Sequence, residues 1–106
     1  MNESQFNQLV DDLLLEMEDA LEECGTELDL ESSAGVLTIS CENDGSKIIV
    51  SRQPAIQELW VAAKSGGYHC GLENGVFYCR QTDENLPQLM SRVLTEQCGE
   101  RVRLLL

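Results

Sequence analysis

The first 46 residues of the chain contain no lysine or arginine, although they contain 13 aspartate and glutamate residues. Residues 47–106 contain all 7 basic side chains and the other 6 acidic ones, and the 106-residue chain has a formal charge of −12. Nucleic acids and anionic membrane surfaces bind proteins through basic side chains. The charge therefore argues against both as direct partners.

Long apolar runs are also missing. No stretch of about 18 apolar residues is present, so we expect no transmembrane helix. Residues 1–3 lack the basic and apolar regions of a signal peptide, and no arginine-rich stretch suggests a transit peptide. Hydrophobic residues nevertheless make up 42% of the chain, enough for an ordinary globular core. We therefore expect a cytoplasmic, monomeric protein in which residues 1–106 form a single domain.

The five cysteines include no closely spaced pair, which excludes CxxC redox motifs and paired-cysteine zinc sites. An odd number without a secretion signal favours reduced thiols. If Asn74-Gly75 forms a two-residue turn, Cys70 lies across from Cys79, and a cross-strand disulfide is geometrically possible. We nevertheless predict that all five thiols are free: Cys24, Cys41, Cys70, Cys79 and Cys98.

Groups suited to catalysis are scarce. The only histidine, His69, neighbours Cys70, but on a strand the two side chains point to opposite faces. The chain contains neither GxxxxGK[ST] nor GxGxxG, and residues 42–45 lack the spacing of an EF-hand loop. We therefore expect that the protein is not an enzyme.

Two segments, residues 3–24 and 86–98, have the three- and four-residue periodicity of amphipathic helices. Each follows an asparagine with a glutamine three residues later, which resembles a capping box, and each precedes a glycine. The asparagines are Asn2 and Asn85, and the glycines are Gly25 and Gly99. The predicted apolar faces are Phe6, Val10, Leu13, Met17, Ala20, Leu21 and Cys24 in the first helix, and Leu86, Leu89, Met90, Val93, Leu94 and Cys98 in the second.

Alternating apolar and polar residues between the helices predict strands, over residues 36–41, 47–52, 58–64, 68–72 and 76–80. Asp44-Gly45 predicts a tight hairpin in which Ile39 faces Val50 and Cys41 faces Ile48. The apolar tail, residues 102–106, is expected to pack back on the domain. We predict an α+β fold, a two-layer α-β sandwich with two helices packed on one face of an antiparallel meandering sheet.

The other face of the predicted sheet is left to solvent. If Leu59 and Val61 face the helices, Trp60 points to this open face together with His69 and Tyr78. Tryptophan is the residue type most enriched at the energetic centres of protein interfaces, so Trp60 is a candidate contact anchor. The alternative is that Trp60 only covers its own strand.

The first helix has two acidic strips opposite its apolar face: Asp11, Glu18 and Glu22, and Asp12, Glu16, Asp19 and Glu23. Like-charge pairs four residues apart should each cost roughly 0.2–0.5 kcal/mol of helix stability. Glu22 and Glu23 also lie at the helix C-terminus, where anions are unfavourable. The simplest interpretation is a solvated face. Clustered carboxylates also suit iron, Mn²⁺, Ca²⁺ or Mg²⁺ and can attract a basic protein. A DNA mimic is disfavoured, because the acids lie along one helix.

Several motifs then follow the acidic first helix: Gly35-Val-Leu-Thr-Ile39, Asp44-Gly-Ser-Lys-Ile-Ile49, Arg52-Gln-Pro54, Gln57-Glu-Leu-Trp60 and Gly66-Gly-Tyr-His69. With these motifs the chain resembles bacterial frataxin, the CyaY family, over essentially its whole length. The resemblance implies an α-β sandwich and an iron-binding protein of iron–sulfur cluster assembly. It implies a regulator or adaptor of the cysteine desulfurase–scaffold complex, and a possible iron donor or sensor.

The resemblance also implies roles for particular residues. Weakly bound, surface-exposed iron, ferrous or ferric, would have the ligands Glu18, Asp19, Glu22, Glu23, Glu27, Asp29 and Glu31, with Asp11, Asp12 and Glu16 as weaker candidates. Other divalent cations could bind there too. Trp60, with Glu18, Asp19 and Glu22, would contact the desulfurase and the iron–sulfur scaffold protein. The alternative is an acidic protein-interaction module whose metal binding is incidental.

Overall fold

A helix at each end of the chain encloses seven strands in sequence, and the computed structural model describes residues 1–106. The helices are α1 (Glu3–Glu22) and α2 (Leu86–Cys98). The strands are β1 (Leu28–Ser33), β2 (Val36–Cys41), β3 (Lys47–Gln53), β4 (Glu58–Ala63), β5 (Gly66–Glu73), β6 (Val76–Cys79) and β7 (Glu84–Asn85), with a 3₁₀ turn at Pro54–Ile56. None of the helices is long and apolar enough to cross a membrane.

The strands form one antiparallel sheet in the order β1-β2-β3-β4-β5-β6-β7, so every strand pairs with its neighbour in sequence. One cluster of 23 buried apolar residues combines the inner sheet face, both helices and the tail. The opposite face carries exposed or half-buried residues such as Ile49, Trp60 and His69. The predicted two-layer α-β sandwich is confirmed.

Helix α1 begins as predicted and ends slightly earlier. Asn2 Oδ1 accepts a hydrogen bond from the Gln5 amide at 2.8 Å, and Gln5 Oε1 accepts one from the Asn2 amide at 2.9 Å. The helix ends at Glu22 instead of residue 24. Its buried face also differs from the predicted one, because Leu14 is buried while Leu13, Ala20 and Cys24 are only half-buried. The fully buried positions are Phe6, Val10, Leu14, Met17 and Leu21.

Helix α2 and the tail follow the prediction closely. Asn85 and Gln88 form a capping box, and Gly99 ends the helix with a φ of 75°, a left-handed conformation that glycine adopts readily. All six residues predicted for its apolar face are buried. In the tail, Val102 and Leu104 are each only 3% exposed, so this segment packs on the domain as expected.

The β2–β3 hairpin has a different register from the predicted one. Ile39 faces Ile48, and Leu37 faces Val50, a shift of two residues. The cause is a longer loop: the Gly45 amide donates to the Cys41 carbonyl, and the Cys41 amide donates to the Ser46 carbonyl, both at 2.8 Å. Because the shift is an even number of residues, the same side chains still face the core.

The β5–β6 hairpin has the predicted register, with Cys70 opposite Cys79 and Leu72 opposite Phe77. Both cysteines are fully buried and carry free thiols. Burial, and then the neighbouring Cys79, raise the pKa of the Cys70 thiol to about 12, so it stays protonated at neutral pH.

The prediction of five free thiols is wrong for two cysteines. Cys41 and Cys98 form a disulfide between the end of β2 and the end of α2, 57 residues apart in sequence. Their Cα atoms are 5.4 Å apart, within the range that disulfides require. This pair was not foreseen because its two residues meet only through the packing of α2 on the sheet. Cys24, half-buried, is free.

Two strands at the edges of the sheet were not predicted. β7 is only two residues long and pairs with the end of β6. β1 pairs with β2 along its whole length, from Leu28 opposite Cys41 to Ser33 opposite Val36. The alternation of Leu28 and Leu30 with Asp29 and Glu31 is a short strand signal that identifies this edge.

Candidate functional site

The predicted metal ligands lie on the last turns of α1, the following turn and strand β1. We define this surface, the acidic ridge, by seven residues: Glu18, Asp19, Glu22, Glu23, Glu27, Asp29 and Glu31. After Glu23 the chain reverses at Gly25, which has a φ of 86°, and returns as β1. Glu18 is half-buried, and the other six side chains are exposed. The acidic ridge thus follows one stretch of chain, from the end of α1 through the turn and into β1.

Local packing explains why these acids point to solvent. Met17 and Leu21 bury the inner side of the last turns of α1, which leaves the flanking acids outside. On β1, Leu28 and Leu30 pack against the core, so the alternate residues Asp29 and Glu31 project outward. The acids of the ridge are therefore exposed because the apolar residues between them pack against the core.

The negative charge of the acidic ridge has no nearby compensation. None of its seven residues forms an ion pair, and α1 has no basic residue in its last turn. The acids that do form ion pairs lie elsewhere: Asp11, Asp44, Glu73, Glu84 and Glu96. Since Glu22 and Glu23 also lie at the negative end of the α1 dipole, a bound cation would relieve unfavourable electrostatics.

The three weaker candidates differ in their surroundings. Asp11 accepts a hydrogen bond from Arg52 at 2.7 Å, and Arg52 also donates to the Asn7 carbonyl at 3.2 Å. Asp11 is thus part of a contact that joins α1 to β3, which makes it poorly available to a metal. Asp12 accepts from Gln8 at 3.1 Å, and Glu16 borders an apolar groove.

The arrangement of the carboxylates determines what kind of metal site is feasible. No group of three or more His, Cys, Asp or Glu side chains is close enough together to hold a metal ion. Oxygen ligands suit hard cations, including iron, so the chemistry of the ridge fits such ions while its geometry does not enclose them. Side chains would have to move to share a cation, and water would complete its coordination.

Two shallow grooves flank the turn between α1 and β1, with volumes of about 400 and 460 Å³. Glu27 lines both of them. The second groove also contains Glu42 and Glu100, which the sequence did not indicate as candidates. These three acids are far apart in the chain, and only the fold brings them to one surface.

Trp60 lies on the open face of the sheet, as predicted. Its ring stacks on His69, with centroids 4.4 Å apart and planes inclined by 10°. Its Nε1 donates a hydrogen bond to Glu58 Oε1 at 2.8 Å. The three side chains therefore form one half-exposed aromatic and acidic group beside a hollow of about 300 Å³ that includes Tyr78 and Arg80. His69 was not among the predicted site residues, although a two-residue turn at Lys64-Ser65 places it opposite Trp60.

Comparison with known proteins places this chain in a family. The sequence model of one protein family, the frataxin-like domain, matches residues 1–100 of this chain. The chain is 41% identical to the iron-sulfur cluster assembly protein CyaY of Azotobacter vinelandii, with 96% of this chain and 94% of the relative covered. It is 42% identical to CyaY of Stutzerimonas stutzeri, with 94% and 92% covered.

Solved structures agree. A frataxin from Psychromonas ingrahamii superposes with a TM-score of 0.87 at 30% identity, covering 97% of both chains. A trimeric frataxin from the yeast Saccharomyces cerevisiae, complexed with ferrous iron, shares the fold with a TM-score of 0.71 at 24% identity and 87% coverage of both chains. The chain belongs to the frataxin family.

Proposed function

We propose that this protein binds iron on its acidic ridge and acts in iron–sulfur cluster assembly, as a regulator or adaptor of the cysteine desulfurase–scaffold complex. The observation that carries the proposal is the unpaired charge of the ridge: its seven carboxylates form no ion pair, whereas four of the seven basic residues of the chain pair with acids elsewhere. Relatives about 41% identical are iron-sulfur cluster assembly proteins, which supports the pathway.

The metal would be ferrous or ferric iron, bound weakly and exchangeably, with other divalent cations as competitors. The exposed, unconverged carboxylates support this type of binding, since a tight site needs several ligands fixed around one ion. The complex of the yeast frataxin with ferrous iron is consistent with it. Weak binding is compatible with either an iron donor or an iron sensor.

Iron titration tests the metal proposal. Ferrous iron added without oxygen should change the amide NMR signals of residues 11–31, and Glu22→Gln/Glu23→Gln should weaken binding several-fold. Glu73→Gln/Asp83→Asn is the matched control, because it removes the same charge outside the ridge. Changes confined to His69 and the cysteines, or equal weakening by both variants, would contradict the proposal.

The same ridge is proposed to dock on a basic surface of the cysteine desulfurase, and the open face on the scaffold. Long-range attraction by clustered charges speeds such encounters and makes them sensitive to salt. Reversing charge at Glu18, Asp19 and Glu22 should abolish desulfurase binding measured at low salt. Unchanged binding would exclude the ridge as the docking surface.

Trp60 is proposed as the anchor of the open face. Trp60→Ala should weaken binding to the scaffold protein at least about tenfold, as expected for a central aromatic contact. Ile56→Ala is the control, because Ile56 is 56% exposed but lies in the 3₁₀ turn. Equal losses in the two variants would remove Trp60 from the interface.

The second candidate is an acidic protein-interaction module whose metal binding is incidental. The absence of a converged ligand group favours it. Desulfurase activity and cluster synthesis, measured with the protein across a range of iron concentrations and in chelator, separate the two functions. An effect that persists in chelator supports the module, and an effect that follows the iron concentration supports iron-dependent regulation.

We further propose that residues 1–106 act as one monomeric frataxin-like domain in the cytoplasm, without turnover of its own. The continuous core supports a single domain. The disulfide is the feature least expected in a reducing compartment. Counting thiols on unfolded protein from freshly lysed cells under an alkylating agent tests this: five supports a reducing environment, and three contradicts it.

A further inference from the structure

The segment that follows α2 is held along only one side of its backbone. Thr95 Oγ1 accepts a hydrogen bond from the Val102 amide at 2.9 Å and donates one to the Val102 carbonyl at 3.0 Å. Ser91 Oγ accepts one from the Leu104 amide at 2.8 Å. Two hydroxyl side chains one turn apart on α2 thus bond to alternate residues, while the side chains of Val102 and Leu104 enter the core.

The other side of this backbone forms no hydrogen bond within the chain. Residues 101, 103 and 105 make no backbone hydrogen bond within the chain, and their side chains are exposed. In a β-strand, the N–H and C=O groups of successive residues point to opposite edges, and successive side chains point to opposite faces. The tail segment, which we define as residues 101–105, therefore has the character of a strand with one edge covered and the other unpaired.

Charge distinguishes the tail segment from the rest of the surface. Four of the seven basic residues are engaged in ion pairs: Arg52, Lys64, Arg80 and Arg92. Arg101 and Arg103 are exposed and form none, and they lie two residues apart, on the same side of the segment. A surface hollow of about 830 Å³ is lined by residues of the tail segment and of α2. The exposed Leu105 continues the same side.

We propose that the tail segment is a docking edge for an acidic, extended segment of a partner protein, which adds a strand to it. Backbone groups of residues 101, 103 and 105 would supply the hydrogen bonds of strand addition, the mode in which main-chain bonds give affinity and alternate side chains give specificity. Arg101 and Arg103 would select carboxylates two residues apart, because guanidinium groups form charge-assisted, bidentate bonds with them. Leu105 would favour an apolar neighbour. This site is separate from the acidic ridge and does not depend on its function.

Peptide binding tests the proposal on the full chain. The probe is a capped peptide of alternating glutamate and valine, and the comparison peptide replaces glutamate with lysine. We expect the acidic peptide alone to bind, to shift the amide NMR signals of residues 101–105 and to slow hydrogen exchange at Arg103 and Leu105. Binding of both peptides, or shifts centred elsewhere, would overturn the proposal.

Two variants separate strand addition from simple charge attraction. Arg103→Glu should weaken peptide binding about tenfold, as expected for loss of a charge-assisted contact. Lys47→Glu, which reverses another exposed and unpaired base, should change it less than twofold. Leu105→Pro removes an outward amide and keeps both arginines, so it should also weaken binding. Binding that survives Leu105→Pro would mean attraction by charge alone and would overturn strand addition.

A second copy of the chain is the competing occupant, since β1 carries Asp29 and Glu31 at the same two-residue spacing on a sheet edge. Sedimentation of the protein without peptide distinguishes it. A monomer at all concentrations agrees with a separate partner. A dimer that disappears in Arg101→Glu/Arg103→Glu would assign the edge to self-association and would overturn the proposal.

Discussion

Helices α1 and α2 begin with the same capping arrangement, in which an asparagine and a glutamine three residues later exchange hydrogen bonds. They end differently. α1 ends among acids, with Glu23 as its C-cap, whereas α2 ends at a left-handed glycine beside a disulfide. α1 has 20 residues and buries five, while α2 has 13 and buries seven. α2 serves mainly the core, and α1 carries a surface whose charge opposes helix stability.

Breaking the disulfide should have the largest effect on stability. The disulfide fixes the end of α2 to the sheet, and α1 has no such covalent link. The chain-entropy model for a 57-residue separation gives a loss of about 4 kcal/mol in the free energy of unfolding. Urea unfolding at 25 °C with and without reductant measures it. Cys41→Ala/Cys98→Ala is the control, since its stability should not respond to reductant. Equal stability of the native chain in both conditions would contradict the anchoring role.

Truncating one leucine in each helix should separate their contributions to the core. Leu94→Ala in α2 removes a fully buried side chain and should cost about 3 kcal/mol. Leu15→Ala in α1 removes a side chain that is 61% exposed and should cost less than about 0.5 kcal/mol. Urea unfolding followed by circular dichroism measures both. A large loss in Leu15→Ala would mean that Leu15 is covered in solution.

Removing the N-caps should show that the two helices do begin alike. Asn2→Ala and Asn85→Ala each delete a side chain that accepts from an amide of the first turn, and each should cost about 1 kcal/mol. Thermal unfolding of the two variants against the native chain measures the change. The reverse test is Asn→Ser at the same positions, which should retain most of the stability. If only one of the two alanine variants lost stability, the two caps would share a geometry but would contribute differently to stability.

Reversing a charge near the C-terminus should stabilise the protein when the change is made in α1 and destabilise it when the change is made in α2. Glu22→Lys relieves the repulsion with Glu18 and places a cation at the negative end of α1, so stability should rise by about 0.5 kcal/mol at low salt. Glu96→Lys breaks the 3.1 Å ion pair with Arg92 in α2, and stability should fall by a similar or smaller amount. Unfolding at low and high salt measures both. The same sign in both helices would refute an electrostatic penalty at the ridge.

The smallest expected effect is the loss of stability when Glu84, which pairs with Arg92 of α2, is protonated at low pH. The hydrogen bond from Arg92 lowers the pKa of Glu84 below its ordinary value of 4.5. A carboxyl with a lowered folded pKa contributes stability above its unfolded pKa, and this contribution is lost as the pH falls through the folded value. Below about pH 4.5, therefore, the native chain should lose stability more steeply than Glu84→Gln. Parallel pH profiles would show that solvent screens this partly exposed pair completely.

The elements with strong local patterns were predicted well from the sequence. Both capping boxes, the buried face of α2 and the β5–β6 register follow from residues at most a few positions apart. The position of Trp60 on the open face follows from strand parity alone. For the candidate site, the acids of α1 were identified from their spacing, and those of β1 through the family resemblance.

The errors share a cause in contacts between distant residues. The β2–β3 register was wrong because Asp44-Gly45 is part of a longer loop, in which the Asn43 side chain donates to the Cys98 carbonyl at 2.9 Å. That contact joins residues 55 positions apart, and the turn sequence alone carries no sign of it. The exclusion of Asp11 from the ridge likewise depends on Arg52, 41 residues away.

The sequence by itself determined the two helices and their caps, the parity of the predicted strands and the concentration of acids in the first 46 residues, because these depend on periodicity and on neighbouring side chains. The tertiary structure decided that Cys41 bonds to Cys98, that Glu42 and Glu100 join Glu27, and that Arg101 and Arg103 are exposed and form no ion pair. Each of these depends on which distant segments the core packing brings within a few ångströms, and charge and hydrophobicity patterns do not encode that distance.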